Sequence, residues 1–359
     1  MNSAYQGIRE WIPRDGDALL STDGFIFYAL GYLHPPDRVV SYLKYVPKNL
    51  ADEFDLKWLP CEWELEGVRL VRPAQLYSPE NYEHIINTLN RNRPDYVLHD
   101  PDLMRKVLAI PRNSIKSVFE PRVSLAHLLE NEKKKILDDL EKDAIAVIKT
   151  ISKLTGVEMS SLGIHGSISL GMQNAESDVD IAVYGATNFS KVRTRLNEAS
   201  KTEKEFTLIE ETIFDTIRRN RFIWHGRRVV LNAIRRYEEI KEQFGDYRYQ
   251  STGRHVSSKC VVTDDWESAF RPAVYAVLQL KPLSEDSDLE EELKPNQVVS
   301  MIGEFRGVAS KGEQVKVSGS LERVIETRTR RVDHHRVVVG SAQQKPQDEF
   351  IWPSSRILT

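Results

Sequence analysis

The run from Gly163 to Gly185, GIHGSISLGMQNAESDVDIAVYG, carries the residue types and spacing that most directly imply a chemistry. Gly166-Ser167 is followed by ten residues and then by Asp178-Val179-Asp180. Side chains alternate along a strand, so two acids separated by one apolar residue share a face, with Cβ atoms about 6–7 Å apart. Such a pair can grip a divalent ion. The Gly-Ser turn offers backbone N–H groups and a hydroxyl to phosphate oxygens, and glycine at 166 brings no Cβ between backbone and phosphate. Together these parts point to a metal-bound nucleoside triphosphate. Asp178 and Asp180 would ligate Mg²⁺ (or Mn²⁺), and Gly166 and Ser167 would hold the triphosphate.

Nucleotidyl transfer needs an activated hydroxyl attacking the α-phosphorus while pyrophosphate leaves. Two divalent ions about 3.5–4 Å apart stabilise both oxygens of that in-line displacement. Mg²⁺ accepts a few carboxylates, waters and substrate phosphates in octahedral array. The pattern here is an apolar residue, Gly, Ser, ten residues, then Asp, an apolar residue and Asp. It resembles the signature of the DNA polymerase beta-like nucleotidyltransferase superfamily, and Ser177 before the first acid and Ile181 to Val183 after the second also fit. The phrases GYLHPPDRVVSYLKYVP, GSISLGMQNAESDVDIAVYG and FRPAVYAV are similar to segments of an archaeal family of predicted nucleotidyltransferases, in the same order over most of the chain. The resemblance implies an α/β (α+β) fold: a polymerase beta-like core between a small α/β N-terminal domain and a β-rich C-terminal domain. It also implies transfer of a nucleoside monophosphate from an NTP to an acceptor, with RNA as a candidate. It specifies no substrate.

One departure matters. Superfamily enzymes usually carry a third acid on a later strand, but the strand in that place, Arg228 to Ile234, holds Asn232. An amide can ligate a metal but is a poor general base. Asp264, ending an expected strand from Cys260 to Thr263, is the alternative third catalytic acid, and its competing role is a turn residue. A site with no third ligand is the remaining alternative. It motivates a rival function, a catalytically decayed module that binds nucleotide or RNA. A transferase that modifies itself or a partner, as in toxin–antitoxin pairs, is a third reading, against which the size of the chain argues. Between Thr216 and Arg236 lie Arg218, Arg219, Arg221, Arg227, Arg228, Arg235 and Arg236 with no acid. Arginine forks suit phosphate, and Arg219 and Arg228 are the candidate nucleotide contacts. Phe222 and Trp224 interleave as candidate base-stacking groups. The competing role for this run is a solvated helix end and strand face. Lys191, Arg193, Arg195 and His165 read as surface or packing residues.

The remainder of the chain must position these groups. Its 359 residues suggest two or three domains, divided here as 1–121, 122–248 and 249–359. The net charge of −3 requires any basic surface to be local. Cys61 and Cys260 are too few and too far apart for a disulfide framework, and no apolar run approaches 18 residues. With no signal-like segment at the start, the expectation is a cytoplasmic protein without a membrane partner. Neither composition nor motif indicates an oligomeric state.

The first block alternates strands (24–32, 39–46, 63–71) with turns, His34-Pro35-Pro36-Asp37 among them, and a helix over 79–91. Phe25, Phe27, Tyr28, Tyr32, Tyr42 and Tyr45 are expected in its core. The second opens with one long helix, whose apolar positions Ile136, Leu137, Leu140, Ala144, Val147, Ile148, Ile151 and Leu154 recur at helical spacing up to a stop at Gly156. Strands over 162–164 and 179–184, helices over 190–199 and 207–219, and a strand over 228–234 follow, building a mixed sheet. In the third, strands over 258–263, 298–308, 314–324 and 336–339 suggest a small β-barrel or β-sandwich. The acidic run 284–292 is a loop or short helix. His334-His335 with Arg328, Arg330, Arg331 and Arg336 forms a basic patch, either a nucleic-acid platform or a solvated hairpin.

Overall fold

A computed structural model describes residues 11–75, 79–100, 105–202, 205–284, 288–340 and 349–354. Of the acidic run, 285–287 lie outside the described residues. The fold is mixed α+β, with several sheets and a β-barrel. Two compact units share the chain: Met1–Tyr32, Ser41–Ala74 and Ile110–Ile240 form one, and Leu33–Val40, Gln75–Ala109 and Lys241–Thr359 the other.

The first unit begins with β1 (Ala18–Ser21), β2 (Ile26–Ala29), β3 (Arg38–Pro47), β4 (Trp63–Leu65) and β5 (Val68–Val71). The chain then supplies α1 (Pro79–Asn92), β6 (Val97–Asp100) and β7 (Arg105–Pro111) and returns with β8 (Ile115–Phe119). The order β4-β5-β3-β2-β1-β8 is antiparallel throughout. One apolar group on it joins Ala18, Leu20, Ile26, Tyr28, Tyr45, Leu70 and Phe119 to Leu170 and Met172 of the following segment. Each such fully buried side chain contributes about 1.5–3 kcal/mol. Of the aromatic residues expected in this core, Phe25, Phe27, Tyr28 and Tyr45 are buried, and Tyr32 and Tyr42 are half-buried.

The same unit continues with α2 (Pro121–Lys134), α3 (Asp139–Thr155), β9 (Leu162–His165), α4 (Gly166–Leu170), β10 (Val179–Tyr184) and α5 (Ala186–Thr202). It ends with β11 (Phe206–Leu208), α6 (Ile213–Arg218), β12 (Arg221–Trp224) and β13 (Arg227–Ile234). The sheet runs β11-β12-β13-β10-β9, with β10 and β13 parallel and the other pairs antiparallel. Val179, Ile181 and Val183 are fully buried on the face that α3 and α5 cover. Alternation turns Asp178, Asp180 and Ala182 to the other face.

In the second unit β14 (Tyr247–Asp264), β15 (Ala273–Pro282), β16 (Gln297–Ser300), β17 (Gln314–Glu326) and β18 (Val332–Val339) close a five-membered ring, β14-β15-β16-β18-β17-β14. Only β16 and β18 pair parallel. A short β19 (Phe350–Pro353) adds to β17. The barrel form is the one the strand pattern left open against a sandwich.

Several sequence expectations are corrected. The long helix is two, because Asp138 and Glu141 form a reciprocal capping box that starts α3 at Asp139. Ile136 therefore lies in the turn, 62% exposed. The stop at Gly156 holds, with a left-handed C-cap. The helix over 207–219 is instead β11 followed by α6, because a second capping box, Thr212 with Asp215, starts the helix at Ile213. The strand over 298–308 stops at Ser300, whose Oγ accepts the Ile302 N–H at 3.1 Å, and a 3-10 turn over Gly303–Phe305 follows. Phe222 and Trp224 are core residues, 0% and 7% exposed, so they offer no stacking face.

Candidate active site

Asp178 lies just before β10 and Asp180 on it, both half-buried. Asp180 is the cross-strand partner of His165, the last residue of β9, and α4 starts at the next residue, Gly166. Gly166 has φ +71°, a left-handed conformation that glycine adopts without cost. A Cβ there would overlap Asp180 Oδ2 and lie 3.1 and 3.2 Å from Asp180 Cγ and Cβ. The space that a side chain would fill is thus taken by the carboxylate. Ser167 is half-buried in the first turn of α4. The structure therefore brings Gly166, Ser167, Asp178 and Asp180 to one edge of the sheet. The connecting loop is tied by Asn174 and Ser177, and Arg227 fastens it by donating to Ala175 O at 2.8 Å and to Asp143 at 2.8 Å.

The electrostatics are those of a cation-seeking pair. Burial raises the Asp178 carboxyl pKa, against the opposing pull of Arg221 and Arg228. Burial likewise raises Asp180, with Lys44 opposing and the Asp178 charge adding to the rise. Each of those arginines is aimed by an acid. Arg221 Nη1 donates to Asp215 Oδ1 at 3.0 Å, and Arg228 grips Glu211 with both Nη atoms. Arg228 is thereby near the pair, as expected. Arg219 is engaged elsewhere: it ends α6, and its Nε donates to Asn197 Oδ1 at 2.7 Å.

The β2–β3 region supplies groups that the motif did not reveal. Lys44 Nζ stands 4.3 Å from the Tyr28 ring centroid, and that ring lies 5.1 Å from His165. Tyr42 stacks on Tyr28 at 5.8 Å. Arg72 adds a second positive charge acting on Asp180. Alternation along 42–46 could have placed Tyr42 and Lys44 on one face, but nothing in the sequence says which site that face meets.

Asn232 takes the place where a third acid was sought. It lies on β13 beside Asp180, and its Nδ2 donates to Asp180 Oδ1 at 3.4 Å. Asp264 belongs to the second unit, where it ends β14 and accepts the Trp266 N–H at 3.0 Å. Among the described residues no group of three or more His, Cys, Asp or Glu side chains is placed to hold a metal. Two carboxylates on one edge nonetheless fit Mg²⁺, which keeps waters and takes substrate phosphates for its remaining positions. No described helix is long and apolar enough to cross a membrane.

No protein-family model matches the chain, and no solved structure matches it. An uncharacterized protein of Methanocaldococcus jannaschii is similar, 28% identical over 349 residues, covering 91% of this chain and 95% of that protein.

Proposed function

We propose that the chain is a metal-dependent nucleotidyltransferase of the polymerase beta-like kind. The observation that carries this reading is the Asp178–Asp180 edge set against Gly166, whose missing side chain makes room for the Asp180 carboxylate. Asp178 and Asp180 would hold Mg²⁺, which supplies charge neutralisation to the phosphates it bridges. The raised carboxyl pKa values support this, since a divalent cation relieves both burial and mutual repulsion. Gly166 and Ser167 present the start of α4 to the triphosphate. Arg221 and Arg228 flank Asp178, and Lys44 and Arg72 flank Asp180, so phosphate charge would meet cations on both sides. The acceptor is a hydroxyl-bearing molecule for which RNA is the candidate.

The test is Asp180→Asn, which keeps shape and removes the charge. Mg²⁺-dependent transfer of labelled nucleotide should vanish while the thermal midpoint is maintained or rises. Undiminished transfer by that variant would refute the assignment.

One observation favours a second reading: an amide, Asn232, adjoins Asp180 where a third carboxylate was expected. A non-catalytic module would bind NTP–Mg²⁺ calorimetrically yet transfer nothing to pooled RNA, DNA or protein acceptors.

A further inference from the structure

The barrel of the second unit holds a cavity of about 540 Å³ that the reading above does not use. That size lies within the range of small-ligand pockets, about 300–1,000 Å³. Its walls come from the end of β17 (Arg323), the start of β18 (His334, His335) and the β15–β16 connection (Lys294, Asn296).

Its chemistry is specific. His335 is 7% exposed, and its Nε2 is buried without a hydrogen-bond partner. The ring also bonds the Glu292 backbone, which leaves Nδ1 as the donor and Nε2 as a bare acceptor. Burial, Arg323 and His334 all favour the neutral ring. His334 Nδ1 is 2.7 Å from Asp333 Oδ2, and its Nε2 is likewise buried and unpartnered. Two acceptor nitrogens therefore ask for hydroxyl donors. Beside them Arg323 is exposed and has no acid partner among the described residues. The β17–β18 turn adds Arg328, Arg330 and Arg331, all exposed and also without an ion pair among the described residues. Arg336, counted with them in the sequence, is instead buried, donating from Nε and Nη2 to Glu322 Oε2 at 2.9 and 2.8 Å. The opposite rim carries the acids Glu290, Glu291 and Glu292, so an anionic chain is steered to the arginine side.

A ligand that donates hydroxyls and carries phosphate a few ångströms away is a ribonucleotide. Deoxyribose lacks the 2′-hydroxyl, and a neutral sugar lacks the phosphate. The strand order agrees. Numbered from β14 as first strand, the ring runs 1-2-3-5-4-1 with strands 3 and 5 parallel, the order of barrels that bind oligonucleotides and oligosaccharides. We propose that this cavity takes the ribose-phosphate of one nucleotide of a single-stranded RNA, with its 2′-hydroxyl donating to His335 Nε2 and its phosphate on Arg323. The strand continues along Arg328, Arg330 and Arg331. The assignment stands independently of nucleotidyl transfer.

Fluorescence anisotropy of the full-length protein with short labelled RNA, and with DNA of the same sequence, tests it. RNA binds saturably, and DNA about tenfold more weakly, since the 2′-hydroxyl distinguishes the two. Arg323→Ala weakens RNA binding about tenfold through loss of a charge-assisted phosphate contact. Replacing Arg328, Arg330 and Arg331 together by Ser weakens RNA and DNA alike and flattens the salt dependence. That variant alters only exposed positions, so it remains informative if His335→Leu, which should narrow the RNA–DNA difference, fails to fold. Absence of saturable RNA binding, wild-type affinity in the arginine variants, equal affinity for DNA, or preference for a neutral oligosaccharide would each overturn the proposal.

Discussion

Gly166→Ala tests the link between turn and acid quantitatively. At φ +71° alanine costs about 1–2 kcal/mol for the left-handed conformation alone. The new Cβ also overlaps Asp180 Oδ2 and crowds Cγ at 3.1 Å, and overpacking of this kind costs about 1–3 kcal/mol. The single variant should therefore lose about 2–5 kcal/mol. Asp180→Ala removes Oδ2 and Cγ and leaves only the Cβ at 3.2 Å, which a small shift relieves. In that background Gly166→Ala should cost only the conformational share, about 1–2 kcal/mol. Urea unfolding of the wild type, both single variants and the double variant gives the coupling, expected at about 1–3 kcal/mol. Constant m-values would show that the folded and unfolded states remain comparable. Asp180→Ala alone should not destabilise at neutral pH, because it removes a buried acid beside Asp178. Costs that add to within about 0.5 kcal/mol would refute the idea that Gly166 makes room for Asp180.

Glu322 is fully buried in the barrel unit, holds Arg336 and lies 3.6 Å from Arg105, so Glu322→Gln should cost about 3–5 kcal/mol in urea unfolding by leaving a buried guanidinium uncompensated. Burial pushes the Asp17 carboxyl up to about 8 despite the nearby Arg14. Between about pH 4 and pH 8 the folded protein holds a proton that the unfolded chain has lost, so unfolding free energy falls as pH rises across that window. Asp17→Asn should flatten the decline in urea midpoint between about pH 6 and pH 8, and parallel curves would count against it. Cys61 is exposed and Cys260 buried, with burial raising the Cys260 thiol pKa to about 12. A thiol reagent should modify one cysteine rapidly in the native protein and the second only on unfolding.

The motif was legible because its geometry is local. Alternation along 178–182 and a glycine-led turn need only a few consecutive residues to be read, and β10 and α4 lie where those residues imply. Asn232 could be placed beside the acids from sequence because β13 is an eight-residue apolar-alternating strand. What failed was local in a different way. The two capping boxes, Asp138 with Glu141 and Thr212 with Asp215, are readable patterns, but apolar periodicity ran across them and carried each helix too far toward its N-terminus. Lys44, Arg72, Glu211 and Asp215 were not legible, because their roles depend on how strands from distant parts of the chain pack. β15 went unread because its outer end alternates imperfectly, with Leu278 and Leu280 exposed. The basic patch near the C-terminus was overcounted, since charge alone cannot distinguish Arg336 in a buried pair from Arg330 in water.

Each unit is assembled from three separated stretches of chain, and this has a consequence during biosynthesis. The first unit lacks its sheet partner β13 until residue 234 has left the ribosome. The stretches 33–40 and 75–109 must wait still longer, for the barrel that begins at β14. At about 5–20 residues per second, roughly 10–40 s separate the synthesis of β3 from that of β14. Throughout that interval Ile85, Ile86 and Leu89, buried in the finished protein, have no barrel to join. A nascent chain of this design needs chaperone cover or slow collapse, and a fragment truncated before residue 240 leaves both units open-sided, so such fragments should accumulate as aggregates.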